Sequence, residues 1–331
     1  MSAGGERGRI EGVLPYWLDR PDDEALEIAL EVERAGLDAV WIGELVTFDA
    51  VALATAIGDR TERLRLRLGP LAVGVRSPAA LALAVSSIAG LTDARVDLAL
   101  GASSSLIVSG WHDRSWEHPA PRMQETLEAL RPILAGERSW YEGEYVRVHG
   151  FRLRRPMPET RLIAAAFGPA MTRVAAQHAD EVVLNLVTRE HVGEARAAID
   201  DAAAAAGRTP PQLAVWVPVA VDPGAAAREQ LASQLAIYLA PTGYGEMFSK
   251  LGFGDLVGRA REGASRAELA AAVPAELLDR ISATGTPAEV LARVSAYHEA
   301  GADVVGIVPS TAEDPGGRRA LQAVSAAGSH A

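Results

Sequence analysis

The stretch Leu26-Glu27-Ile28-Ala29-Leu30-Glu31-Val32-Glu33-Arg34-Ala35-Gly36-Leu37-Asp38-Ala39-Val40-Trp41-Ile42 decides the fold class. Leu26, Ala29, Leu30 and Val32 recur at roughly helical spacing, which predicts one apolar helix face over about residues 22–35. Gly36 stops that helix, because glycine takes up the left-handed backbone of the position after a last turn without steric cost. The run 38–42 then reads as a strand, and 10–14 reads as another before the helix. The chain therefore opens strand–helix–strand.

The alternation continues to the end. A helix over 51–59 leads to the strictly alternating Leu64-Arg65-Leu66-Arg67-Leu68, and the charge-rich Arg60–Arg67 reads as a solvated turn followed by that alternating strand. Ser77-Pro78 opens the next helix, serine as cap and proline in the first turn. A strand at 96–100 ends on Gly101, a helix follows at about 121–135, and 139–146 reads as a small hairpin. Further strands are predicted at 162–165, 181–184, 214–219 and 303–308. The helix before the last strand begins Thr286-Pro287-Ala288-Glu289, in which Thr and Glu satisfy each other's orphan amides. Eight such alternations without a linker predict the α/β class, a (β/α)8 TIM barrel forming one domain over residues 1–331. An open doubly wound sheet is weaker, because no Gly-x-Gly-x-x-Gly follows the first strand. Residues 240–283 are too long for one connection and predict a helical insertion, either a lid over the barrel mouth or a surface excursion.

Composition removes several function classes. The 331 residues are 49% hydrophobic and 23% charged, with no cysteine and a formal net charge of -11. Disulfides, thiolate metal sites and cysteine nucleophiles are excluded. An acidic chain is a poor ligand for nucleic acid or an anionic membrane, since phosphate binding needs a basic surface. No apolar run approaches the length of a bilayer span and no apolar leader opens the chain, which leads us to expect a cytoplasmic protein. Lys250 is the only lysine and lies in a loop-like stretch, so Schiff-base chemistry on a barrel strand is not expected.

In a barrel of this class the reacting groups gather at the C-terminal strand ends. Those ends carry Tyr16 and Trp17; Glu44 and Leu45; Leu71 and Ala72; Gly101-Ala102-Ser103-Ser104-Ser105; Gly168; Asn185; Pro218; and Pro309-Ser310. The set is apolar and aromatic with scattered hydroxyls, a seat for a flat ring rather than the facing carboxylates of a glycosidase. Small residues at 101–105 let backbone approach a ring or phosphate, or simply make a tight turn. Phe167-Gly168-Pro169-Ala170 precedes a helix whose free amides and dipole favour an anion. His112, Asp113 and His118 share one loop, but their spacing matches no metal motif and no metal is expected. His112 is the better candidate for a proton donor, because imidazole titrates near neutrality. His178 and His298 fall late in helices and read as C-terminal-turn residues. Trp17, Trp111 and Phe248 are candidate pocket walls.

Four segments, in order, resemble the luciferase-like monooxygenase superfamily: Leu37-Asp38-Ala39-Val40-Trp41-Ile42-Gly43-Glu44; Leu66-Arg67-Leu68-Gly69-Pro70-Leu71-Ala72-Val73 with Arg76-Ser77-Pro78-Ala79; Arg95-Val96-Asp97-Leu98-Ala99-Leu100-Gly101-Ala102; and Gly285-Thr286-Pro287-Ala288-Glu289-Val290. The chain is most similar to the branch of deazaflavin (coenzyme F420)-dependent oxidoreductases. That likeness rests on Gly101-Ala102-Ser103-Ser104, Ile107-Val108, Gly110-Trp111-His112, Ala165-Ala166-Phe167-Gly168-Pro169 and Val183-Leu184-Asn185. The resemblance implies a coenzyme seat formed by Leu71, Ala72, Gly101, Ala102, Ser103, Ser104, Phe167, Gly168, Pro169, Ala170 and Asn185. It implies a non-proline cis bond between Leu71 and Ala72 behind the ring, and the phosphate on the turn 167–170. A substrate pocket would involve Tyr16, Trp17, Leu45 and Trp111. The family's acidic–histidine pair is here Glu44-Leu45, which argues against alcohol oxidation and for reduction of a C=C, C=N or C=O bond, with Glu44 or His112 supplying the proton. The alternatives are a two-component monooxygenase using FMN and a flavin reductase, or a small-ligand-binding barrel without catalysis. Pairing into a homodimer is a further implication of the resemblance.

Overall fold

The computed structural model describes residues 8–325 of the chain. Its strands are β1 (Arg9–Val13), β2 (Ala39–Ile42), β3 (Arg65–Ala72), β4 (Val96–Gly101), β5 (Ser139–Glu142) and β6 (Arg147–Phe151). They continue with β7 (Leu162–Ala165), β8 (Glu181–Asn185), β9 (Gln212–Val221), β10 (Ala283–Gly285) and β11 (Val304–Pro309). Eight parallel strands, β1–β4, β7–β9 and β11, alternate with helices in the α/β (β/α)8 TIM-barrel class that the sequence predicts, and the three-residue β10 pairs with β9 as a ninth. The chain forms two compact units, Val32–Leu184 with Glu194–Ala214, and the residues up to Glu31 with Asn185–Gly193 and from Val215 onward.

In the first of these, strands run in the order β2-β3-β4-β7-β8, all parallel, with β5 and β6 as a separate antiparallel hairpin. The hairpin lies where the sequence places it, but its second strand starts at Arg147, after the Gly143–Val146 turn rather than within it. β2 and β4 are buried along their whole length, as parallel strands covered on both faces must be. Ser77 caps the helix Pro78–Thr92 by accepting from the Ala80 amide.

Arg67 corrects the solvated reading of the charged stretch. It is fully buried, and register explains why. Trp41, Arg67 and Asp97 are lateral neighbours on β2, β3 and β4. The guanidinium stacks 4.8 Å from the Trp41 ring and lies 3.9 Å from Asp97. It also contacts both Glu181 oxygens at 2.9 Å, while Arg65 and Arg161 close the cluster on Asp97 and Glu181. Alternation of Leu and Arg looks like a half-solvated strand, yet here the second face is covered and its charges pair with one another.

Between Leu68 and Leu71 the β3–β4 ladder takes three steps on β3 against two on β4. Gly69, at φ 120°, makes this bulge possible: a Cβ there would collide with the Ala99 carbonyl oxygen. The cis peptide bond is Gly69–Pro70, not Leu71–Ala72. Proline's tertiary amide has a far weaker trans preference than the secondary amide two residues later.

In the other unit β10-β9-β11-β1 are neighbours, with β1 and β11 in parallel register from Arg9↔Val304 to Gly12↔Ile307. The predicted insertion is helical, consisting of Tyr244–Phe248, Gly254–Arg261, Arg266–Ala272 and Ala275–Ile281. Thr286 and Glu289 form the capping box that the sequence shows. No described helix is long and apolar enough to cross a membrane.

Candidate active site

Within the unit of β2, β3, β4 and β7, the loop after β2 brings Glu44 into a two-pronged ion pair with Arg76. Both oxygen–nitrogen distances are 2.7 Å. Glu44 also accepts from the Ala50 amide, and Arg76 reaches Asp49 at 2.9 Å. The Glu44 carboxylate holds the Arg76 guanidinium above its ordinary pKa. A carboxylate engaged this way anchors the loops after β2 and β3. Leu45 beside it is half-buried.

Asp49 caps the helix Ala50–Gly58 through the Val51 and Ala52 amides. Burial pushes its carboxyl up, but the Ala52 amide, Arg76 and the Val51 amide outweigh this and leave it below its usual value. A folded-state pKa held down stabilises above the unfolded value of about 3.9 and fades as pH falls through the folded value. Thermal melts from pH 6 to pH 2 are expected to show Asp49→Asn as less stable than the parent near neutrality and less sensitive to acid. Parallel pH profiles would contradict this.

The ends of β3, β4 and β7 form a floor of small groups. A Cβ on Gly101 would lie 3.4 Å from both Ala165 and Pro70, so these three residues already touch edge to edge. Leu71 is buried and Ala72 half-buried, and the Val73 amide continues the ladder onto the Gly101 carbonyl. After β4, Ala102 is half-buried, and Ser103 is exposed in the left-handed region at φ 58°. Non-glycine residues are rare there, and such strain concentrates at functional sites. The Ser104 carbonyl and hydroxyl start a π-helical turn, Leu106–Trp111, a feature that recurs at ligand sites. That turn leaves Trp111 46% exposed and sets His112 at its exposed end. Trp116 folds back so that its ring N–H donates to the Ala102 carbonyl at 2.9 Å.

After β7, Phe167 is half-buried, and Gly168, Pro169 and Ala170 are exposed. Gly168 takes φ 80° and ψ 160°, backbone reserved for glycine, and its missing Cβ would meet nothing within 4 Å. The ten-residue helix Pro169–His178 thus begins in open space without a side-chain cap and with no acidic residue in its first turn. Its positive dipole end is presented to an anion.

In the other unit Trp17 is buried and its ring N–H donates to the Pro309 carbonyl at 2.8 Å, which makes it a packing residue between β1 and β11. Tyr16 is half-buried beside it. Ser310 and the Thr311 amide are held by Gln230, and the Thr311 hydroxyl donates to Glu24. Asn185 ends β8 beside Tyr238 and Tyr244. The Asn185 Oδ1 is buried with no hydrogen-bond partner among the described residues, an arrangement that costs about 1–3 kcal/mol. Phe248 is fully buried against Tyr244.

Sequence reading missed Arg76, Tyr238 and Tyr244. Arg76 had a signal, since it sits in the loop after β3 as Glu44 does after β2. The tyrosines had none, because only folding brings them to Asn185. His178 and His298 do end helices, where burial pushes both imidazoles down. Among the described residues no three His, Asp or Glu are arranged to hold a metal ion.

A family model described as luciferase-like monooxygenase matches residues 13–304. The 5,10-methylenetetrahydromethanopterin reductase of Methanolobus tindarius is 24% identical over 316 residues, covering 92% of this chain and 96% of its own. Among solved structures, the coenzyme F420-dependent tetrahydromethanopterin reductase of Methanopyrus kandleri superposes with a TM-score of 0.78. It is 17% identical, with 97% of this chain and 98% of that one covered. The oxygenating constituent of 3,6-diketocamphane monooxygenase of Pseudomonas putida, solved with FMN, superposes with a TM-score of 0.69 at 18% identity. That comparison covers 96% of this chain and 97% of the other.

Proposed function

The chain belongs to the luciferase-like monooxygenase family, and from that membership and the site geometry we propose an oxidoreductase that passes a hydride between coenzyme F420 and a small organic substrate. The direction we favour is reduction of a C=C, C=N or C=O bond. The observation that carries this reading is the uncapped helix N-terminus at Gly168, open where a side chain would stand.

The residues present fit the coenzyme. Gly168, Pro169 and Ala170 would receive its phosphate, because main-chain N–H groups and the helix dipole compensate a negative charge without any lysine. Ala72 beside the bulge, with Gly101, Ala102, Ser103 and Ser104, would hold its ring, because small side chains let a planar heterocycle lie close to the strand ends. Bound there, the reduced coenzyme supplies the hydride, and the protein supplies orientation and exclusion of water. The Arg76–Glu44 pair keeps the loops after β2 and β3 in place. His112, exposed at the end of the π-helical turn, is the group we assign to proton delivery, and Trp111 and Leu45 to the apolar wall.

Titrating the protein with oxidised F420 and following its fluorescence is the test. Saturation at micromolar coenzyme, with no comparable binding of FMN, is the expected result. Tight FMN binding without F420 binding would instead favour a monooxygenase working with a flavin reductase, and binding of neither would remove the proposal. His112→Gln is expected to lower the turnover number about 10²- to 10³-fold while leaving coenzyme affinity unchanged.

A further inference from the structure

The insertion that follows the helix Ala225–Tyr238 begins by building a corner. Tyr238 ends that helix, Gly243 turns the chain at φ 91°, and Tyr244 starts the helix Tyr244–Phe248. The two phenol rings meet edge to face with centroids 5.0 Å apart, and Phe248 stacks on Tyr244 at 6.4 Å. Asn185, the last residue of β8, lies beside both phenols. Tyr238, Tyr244 and Asn185 are each half-buried.

Several features point to what that ligand offers. Each phenol carries a hydroxyl that can donate to an acceptor. Burial pushes both phenols up, so they remain protonated donors through the neutral range. An amide, two phenols and a phenyl ring are all neutral, and a charged group would be desolvated among them without a counter-ion. Rings set edge to face and stacked leave flat apolar surface for a planar partner. The corner stands at the C-terminal end of a parallel strand, where this fold gathers its reacting groups.

We propose that this corner is the substrate subsite, in which the Tyr238 hydroxyl, beside Asn185 and braced by Tyr244, donates a hydrogen bond to the carbonyl oxygen of a neutral, planar substrate. The inference rests on the hydride-transfer reading above and gives the insertion a role: its Tyr244 braces the donor of that hydrogen bond. It also moves Asn185 from coenzyme contact to substrate positioning.

The test replaces all six tyrosines of the chain by 3-fluorotyrosine and follows the protein by fluorine NMR, with Tyr238→Phe and Tyr244→Phe assigning the two resonances. Cyclohex-2-enone is the probe, and cyclohexene, which lacks the oxygen, is the control. The Tyr238 signal should move with the enone and not with the alkene, while those of Tyr141 and Tyr297 stay fixed. In Tyr238→Phe the enone should bind about five- to tenfold more weakly. Equal shifts with both probes, or none up to the solubility limit, would overturn the proposal. A shift produced by F420 alone and insensitive to enone would give the donor to the coenzyme and overturn the substrate assignment. Failure of F420 to bind, with the enone shift intact, would sink the hydride-transfer reading while leaving a carbonyl site.

Discussion

Arg67→Ala is expected to lower the free energy of unfolding by about 3–5 kcal/mol, because it leaves Glu181 and Asp97 buried with their shared partner gone. For a chain of this size that corresponds to a fall in melting temperature of about 4–7 °C. The Coulombic attraction inside the cluster does not by itself make it stabilising, since taking each ion out of water offsets most of that gain. What is costly is an incomplete set. Arg67→Met is therefore expected to be nearly as damaging as Arg67→Ala, despite its better shape. Adding Glu181→Gln to Arg67→Met should recover part of the loss by removing one stranded charge. Chemical denaturation of the three variants would read this directly. A loss below about 1 kcal/mol for Arg67→Ala, the range of an exposed ion pair, would show that water reaches the cluster.

Ala170→Glu is expected to separate stability from coenzyme binding. Ala170 is exposed in the first turn of the helix Pro169–His178, one residue after the proline. A carboxylate there meets the positive end of the helix dipole and should stabilise the free protein by about 0.3–1 kcal/mol. The same charge would oppose a phosphate at that helix end, and coenzyme affinity should drop about 100-fold, or about 2.7 kcal/mol. Ala170→Gln, of similar size and neutral, should lose much less. Melting temperature and a fluorescence titration on the same samples give both numbers. If Ala170→Glu and Ala170→Gln bind F420 equally, the anion is not held at this helix end.

The sequence carried most of the fold. Helix faces, the caps at Ser77 and Thr286, and the order of strands follow from local spacing and local hydrogen bonding, and these are where the structure finds them. Arg67 was not legible in this way. Whether a strand's second face is wet or covered depends on lateral neighbours, and Trp41, Asp97 and Glu181 lie far away in sequence. The candidate site was legible as positions rather than as partners. Gly168 could be placed before a helix from its neighbours alone, whereas Arg76 as the partner of Glu44 required loops from two strands to be seen together. The π-helical turn after Ser105 has no periodic signal, being a single widened turn in a small-residue stretch. Asn185 was visible as a strand end, but Tyr238 arrives from the helix before the insertion and Tyr244 from the insertion itself, a packing no local pattern encodes.

The three-against-two step on β3 means that this strand carries one surplus residue. Counting outward from Leu68, simple alternation would turn Leu71 to the opposite side, yet it sits across from Leu100 just as Leu68 sits across from Leu98. The surplus is thus absorbed locally, and everything downstream keeps its phase. Excising Pro70 would leave each side chain on its present side and every later pairing unchanged, while erasing the raised step of main chain beside Ala99. Length can therefore change by one residue at this point without a change of β3–β4 register beyond it.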